Sequence, residues 1–182
     1  WCTWDTQGRV NSVEDGIDTK NLRNVLTQDF LFAENGMLRN YFKNVRQDLY
    51  VLLDDGWDVG KDVPGNGKVS VFGSLVLDSD KFPNFTGEPW ERLEKLRRKV
   101  TELGYRGLGL WICANATGEE EVHQLSVEES ESYWKERAIW CRKAGVDYWK
   151  VDWGYHCCDA AYREMMTRVV KQYAPDLKIE HA

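Results

Sequence analysis

Five short apolar runs recur along the chain, at residues 1–4, 49–53, 108–113, 146–151 and 177–179. Runs of this length with no polar alternation read as strands buried on both faces, as in a parallel sheet. Between them lie stretches with helical spacing. Residues 89–103 carry Trp90, Leu93, Leu96, Val100 and Leu103 on one stripe, with Pro89 suited to a first turn and Gly104 to a stop. Residues 127–144 begin acidic (Glu128, Glu129, Glu131), end basic (Arg142, Lys143) and meet Gly145, a distribution that complements a helix dipole. Residues 159–174 combine a capping Asp159 with an apolar face of Tyr162, Met165, Met166, Val169 and Tyr173, and Pro175 follows. A fourth helix is predicted over 36–45, from Met37, Leu38, Tyr41, Phe42 and Val45. Strands alternating with helices predict one parallel α/β unit, with no linker dividing it.

The connections are unequal. Helix-to-strand joins are short (104–107, 145, 175–176), whereas the strand-to-helix segments 54–88 and 114–126 are long, with polar tips such as Gly65-Asn66-Gly67. In parallel α/β folds the carboxyl ends of the strands carry the site. Those positions hold Asp5, Asp54, Asp55, Trp111, Cys113, Lys150, Asp152 and Glu180, with Trp4, Trp57 and Trp153 beside them. A single Asp at a strand end commonly caps a helix or closes a turn, so it is the recurrence of carboxylates along one rim that points to chemistry. Lys150 and Asp152 are two apart on a strand and share a face. An ammonium beside a carboxylate favours its charged, nucleophilic form; a structural ion pair in the core is the competing reading of these two residues.

Composition narrows the partner. The 24 Lys and Arg against 30 Asp and Glu give a net charge of −6, which repels phosphate backbones and anionic lipid, so nucleic acid is not expected. No apolar run is long enough to span a membrane. The 9 Trp, 8 Tyr and 6 Phe require a very aromatic core or a pocket with flat walls of the kind sugars lie against. Five cysteines, Cys2, Cys113, Cys141, Cys157 and Cys158, leave at least one thiol without a partner in the chain. His156-Cys157-Cys158-Asp159 resembles a ligand cluster, but adjacent cysteines do not easily hold one tetrahedral ion and no second pair stands at zinc spacing, so neither metal nor cofactor is expected. His123 and His181 read as a loop and a strand-end residue. The glycines of residues 104–109 precede a strand instead of following one, and Asn66 stands where a phosphate loop requires Lys. There is no Gly-x-Ser-x-Gly elbow, and Glu119-Glu120-Glu121 reads as a solvated loop. The sequons at Asn84 and Asn115 matter only on a secretory route and leave the compartment open.

Two longer motifs carry a resemblance. Tyr50-Val51-Leu52-Leu53-Asp54-Asp55-Gly56-Trp57 resembles the second-strand motif of the α-galactosidase (melibiase) families, and Gly145-Val146-Asp147-Tyr148-Trp149-Lys150-Val151-Asp152 resembles their nucleophile strand. Trp1-Cys2-Thr3-Trp4-Asp5 is similar to the first strand of the raffinose-synthase and alkaline α-galactosidase branch, and Asp80-Lys81-Phe82-Pro83 to the family segment before the second helix. The resemblance covers nearly the whole chain, in order.

It implies a (β/α)8 TIM barrel that cleaves terminal α-galactosides of oligosaccharides or glycoconjugates with retention, through a covalent glycosyl intermediate on Asp152. By the same resemblance Asp54 and Asp55 bind galactose hydroxyls with Trp57 and Trp4 beside them. Lys150 contacts the sugar next to the nucleophile, Trp111 lines the pocket, Trp153 follows the nucleophile, Cys157 shapes the site and Glu180 binds sugar from the fifth strand. A retaining enzyme needs two carboxyl groups ~5–5.5 Å apart, and in the family the second comes from a strand after the fifth. A barrel of this kind takes ~200 residues or more, so residues 1–182 are expected to form the first five strands, the N-terminal portion of a catalytic barrel. The acid/base, the remaining strands and any β-sandwich domains would lie outside this sequence. Such a segment is expected to be inactive alone and to associate with the rest of its barrel or with a second copy. A transglycosylase on the same barrel, a non-catalytic sugar-binding α/β protein and an unrelated open five-stranded protein are the alternatives.

Overall fold

The computed structural model describes residues 1–10, 19–58, 74–115 and 126–182. Its centre is a parallel sheet of four strands, β1 (Tyr50–Leu53), β2 (Gly107–Ile112), β3 (Tyr148–Val151) and β4 (Lys178–His181), hydrogen-bonded in chain order. The predicted loop tip at 65–67, the residues 116 and 117 of the second sequon, Glu119-Glu120-Glu121 and His123 lie outside the described residues.

Three long helices precede β2, β3 and β4: α5 (Pro89–Glu102), α6 (Val127–Ala144) and α7 (Ala160–Tyr173). They agree with the spacing to within a residue or two, because each carries its own boundary chemistry. Glu88 and Glu91 form a capping box at the start of α5, and Ser126 and Glu129 form another at the start of α6. Gly145 ends α6 in the left-handed conformation, and the Asp159 carboxylate caps α7 by accepting from the Tyr162 amide at 3.0 Å.

Sheet order and handedness fix where these helices go. Right-handed crossovers that step in one direction put every helix on the same face, and α6 packs against both α5 and α7. The covered face is apolar throughout: Val51, Leu53, Leu108, Leu110, Ile112, Trp149 and Val151 are fully buried, with Trp134 of α6 against Trp149 at a ring separation of 5.9 Å. The opposite face carries Tyr50 and Leu52, Gly107, Gly109 and Trp111, Tyr148 and Lys150, and Lys178 and Glu180 in register. Near the amino ends of the strands the Tyr50 and Tyr148 rings stack at 6.5 Å, and Lys178 donates to the Tyr50 hydroxyl at 2.8 Å.

The amino-terminal third departs from expectation. The strand predicted at residues 1–4 is a single bridge between Cys2 and Leu52, fixed by Leu52 N–H to Trp1 O at 2.8 Å and Thr3 N–H to Leu52 O at 3.0 Å. From Trp4 the chain turns into α1 (Trp4–Val10). Thr3 and Gln7 decide this: the Thr3 hydroxyl donates to Gln7 Oε1 at 2.6 Å, and Gln7 Nε2 reaches Leu22 O and Asp55 O. Asp5 therefore leaves the rim and pairs with Arg9 on the outside of the helix.

Two short helices without a clear apolar period, α2 (Thr19–Val25) and α3 (Gln28–Phe32), were not predicted. The helix expected over 36–45 is the single turn α4 (Met37–Asn40). Phe42 adopts φ 58° to lay its ring 5.5 Å from Trp1, and Arg46 collects the carbonyls of Arg39, Tyr41 and Leu103. Those long-range contacts outweigh one more turn of an isolated helix. Among the described residues no helix is long and apolar enough to cross a membrane.

Candidate active site

The carboxyl ends of β1, β2 and β3 bring Asp54, Trp111, Lys150 and Asp152 together on the face opposite the three long helices. Lys150 Nζ lies 3.0 Å from Asp54 Oδ2 and 3.2 Å from Asp152 Oδ2, an ammonium shared by two carboxylates. The Trp111 indole N–H donates to the same Asp152 oxygen at 3.0 Å. The positions follow from strand periodicity: Lys150 pairs in register with Trp111, and Asp54 and Asp152 are two residues beyond Leu52 and Lys150 on their strands. Burial would lower the Lys150 ammonium, but the Asp54 carboxylate, with Asp152 behind it, outweighs this and holds the group above the ordinary lysine value.

Asp54 is the most heavily engaged group. It is 3% exposed. Its Oδ1 accepts the Asp55 N–H at 2.9 Å, and its Oδ2 accepts the Cys2 thiol at 3.0 Å besides Lys150. Its own N–H donates to the Thr3 hydroxyl at 2.9 Å. Burial first, then the hydrogen bond to Asp54, pushes the Cys2 thiol up to about 11, so it stays a neutral donor. Cys2 and Thr3 join the site although neither is among the candidates that the sequence points to, because their contacts with Asp54 cross more than 50 positions of chain. Their position inside the Trp1-Cys2-Thr3-Trp4-Asp5 motif was the signal available.

Asp55, in the turn that follows β1, goes the other way. Its Oδ2 accepts from Arg23 Nε at 2.7 Å, its Oδ1 is buried without a hydrogen bond, and burial, opposed by Arg23, raises its carboxyl above the ordinary value. Lys81 stands close by, donating to the Arg23 and Gly56 carbonyls, each at 2.8 Å. Gly56 makes the turn possible: at φ 108° a Cβ would meet the Arg23 backbone at 2.8 Å. Beyond it Trp57 is fully buried, and its indole N–H donates to Trp111 O at 2.9 Å. Asp55 and Trp57 thus sit behind the Asp54–Lys150–Asp152 chain, holding β1 and β2, and do not share its cluster.

The remaining candidates spread along the rim. Trp4 is half-buried at the start of α1. Trp153 is 44% and Tyr155 55% exposed, on a segment tied to β2 by Ala114 N–H to Trp153 O at 2.9 Å and by Tyr155 N–H to Asn115 Oδ1 at 2.5 Å. Asn115 of the second sequon is thereby buried and engaged, whereas Asn84 of the first is exposed. Gly154 at φ 138° permits the close approach, since a Cβ there would lie 2.8 Å from Cys113 Sγ. Cys157 is half-buried beside the exposed Cys158. His156 stacks on Tyr162 at 3.8 Å and meets Asp159 at 3.3 Å. Glu180 is exposed and accepts the Tyr148 hydroxyl, one register step toward the amino ends and away from Asp152. Among the described residues no three His, Cys, Asp or Glu side chains converge as a metal site.

Chemically, Asp152 is a carboxylate oriented by an indole N–H and an ammonium, with its backbone carbonyl held by Arg163 at 2.7 Å. Such an arrangement can attack an electrophilic carbon or hold a cationic centre. No family model, curated protein or solved structure matches the chain.

Proposed function

We propose that the chain is the nucleophile-bearing part of a retaining glycosidase of the α-galactosidase type, built on a (β/α)8 barrel, with Asp152 attacking the anomeric carbon. The observation that carries this reading is the ammonium of Lys150 shared between Asp54 and Asp152, with the Trp111 indole on the same oxygen of Asp152. It joins the two motifs on which the resemblance rests. The one-directional sheet with helices on a single face is the arrangement a barrel continues.

In this reading Asp152 displaces the leaving group and forms a glycosyl ester, and water later releases the sugar. Lys150 holds the Asp152 carboxylate in place through their ion pair and can give hydrogen bonds to sugar hydroxyls. Asp54 already accepts from Lys150, Cys2 and the Asp55 amide; it fits a partner for sugar hydroxyls better than a proton donor. The acid/base is assigned to no residue of this chain. Asp55 supports β1 through Arg23 and contributes to sugar binding by fixing Asp54.

A second reading is favoured by the exposed Trp153 and Tyr155 beside Asp152. Aromatic faces at that position suit an acceptor sugar, and the enzyme would then hand the glycosyl group to a second saccharide instead of water.

The test is covalent trapping with a 2-deoxy-2-fluoro α-galactosyl fluoride, whose leaving group needs no acid. A peptide bearing the label on Asp152, and its disappearance in Asp152→Asn, is the expected result. A folded chain that takes the label on another residue, or takes none in the presence of the rest of its barrel, would sink the assignment.

A further inference from the structure

We propose that Cys157 and Cys158 form an oxidisable vicinal dithiol, a covalent modification site that takes low-molecular-weight disulfides of the glutathione class. The proposal rests on the chain's own geometry and stands whether or not the galactoside reading is correct. The two sulfurs lie 3.6 Å apart, in contact and unbonded. They occupy the central positions of a turn closed by Asp159 N–H to His156 O at 3.1 Å, itself preceded by Cys157 N–H to Gly154 O at 3.1 Å. A turn brings the side chains of neighbouring residues to one side, which an extended strand would send to opposite faces. Cys158 is exposed and can be reached by a bulky disulfide, whereas Cys113 and Cys141 are buried.

The chemistry balances as two exchange steps. The Cys158 sulfur attacks the small disulfide, forming a mixed disulfide and expelling one thiol of the oxidant. The Cys157 sulfur then attacks Cys158 Sγ, forming the protein S–S bond and expelling the second thiol. Two protein thiols are oxidised, one disulfide is reduced to two thiols, and the two protein protons end on the released thiols. The sulfurs must close from 3.6 Å to a bond of ~2.0 Å. Consecutive Cα atoms stand ~3.8 Å apart, short of the usual disulfide span, so the bond formed is strained, labile and readily reversed.

The location gives the modification a consequence. The turn delivers Asp159 to the cap of α7, and one turn further on Arg163 holds the carbonyls of Val151 at 3.2 Å and Asp152 at 2.7 Å. Reshaping the turn acts on the residues that fix the end of β3.

The experiment treats the intact chain with oxidised glutathione, alkylates remaining thiols and maps the peptides by mass. The expected result is that the peptide holding Cys157 and Cys158 is unalkylated and two hydrogens lighter, and returns as doubly alkylated after dithiothreitol. In Cys157→Ser, with no resolving sulfur, Cys158 is expected to persist as a glutathione adduct. Recovery of the wild-type pair as doubly alkylated, or as a stable adduct on one sulfur with the other alkylated, would overturn the proposal. The wild-type arm decides alone if the variant fails to fold.

Discussion

At the scale of single residues, Lys150 carries the most consequence. It neutralises Asp54, whose side chain is 4% exposed, and Asp152 at 34%. Removing one partner of a buried pair leaves the other charge uncompensated. Lys150→Met is therefore expected to lower stability in urea unfolding by about 2 kcal/mol or more. Lys150→Met combined with Asp54→Asn should recover part of that loss, and a double variant as unstable as the sum of the two single ones would contradict the pairing.

The same residues set an alkaline limit. Cys2 is raised from 9.0 to about 11, so above pH 9 the unfolded chain releases a proton that the folded chain retains, and stability falls as pH rises through that window. Cys141, pushed up to about 12 by full burial, adds in the same direction. Lys150 is held above 10.5; its contribution is complete below that pH and is lost as pH rises through its folded value. Unfolding midpoints are expected to decline from pH 9 upward. Cys2→Ser should make the decline shallower without removing it, which a series of melts at fixed salt would measure.

At the scale of elements, the segment between β3 and α7 is the most exacting. Gly154 combines φ 138° with contacts that leave no room for a Cβ, so Gly154→Ala should lower the melting temperature by several degrees, with a cost of about 1–3 kcal/mol from backbone strain alone. A melt indistinguishable from wild type would mean that the segment does not pack on Cys113. Asp159 caps α7 at 3.0 Å, and Asp159→Ala is expected to lower the melting temperature while Asp159→Asn keeps most of the cap. The helices that spacing identified, α5, α6 and α7, all have capping residues at their ends and an apolar stripe against the sheet. The segments it misjudged, residues 1–10 and 36–45, lack those signals. Their conformation depends on partners far away in sequence, Gln7 on Leu22 and Asp55, Arg46 on Leu103, Phe42 on Trp1.

At the scale of the whole molecule, the parallel sheet steps one way, with its helices on one face and its charged cluster at the carboxyl ends of the other. The proposed reading assigns the nucleophile to this chain and the acid/base to none of its residues, and a retaining enzyme needs both, so the purified 182-residue chain is expected to show no steady hydrolysis of an aryl α-galactoside. Sustained turnover by that chain would overturn this part of the proposed reading.

The sequence by itself determined the parallel α/β pattern, the three long helices, the strands around Leu52, Leu110 and Trp149, and the sharing of a face by Lys150 and Asp152. Each of these depends on periodicity or on a local cap, and a period of two or 3.6 is legible residue by residue. Only the tertiary structure decided that Lys150 bridges to Asp54, that Cys2 donates to the same carboxylate, and that Asp55 and Trp57 turn inward to Arg23 and Trp111. Those contacts join residues 32 to 96 positions apart. Strand order and register create them, and neither is written in any local stretch of the chain.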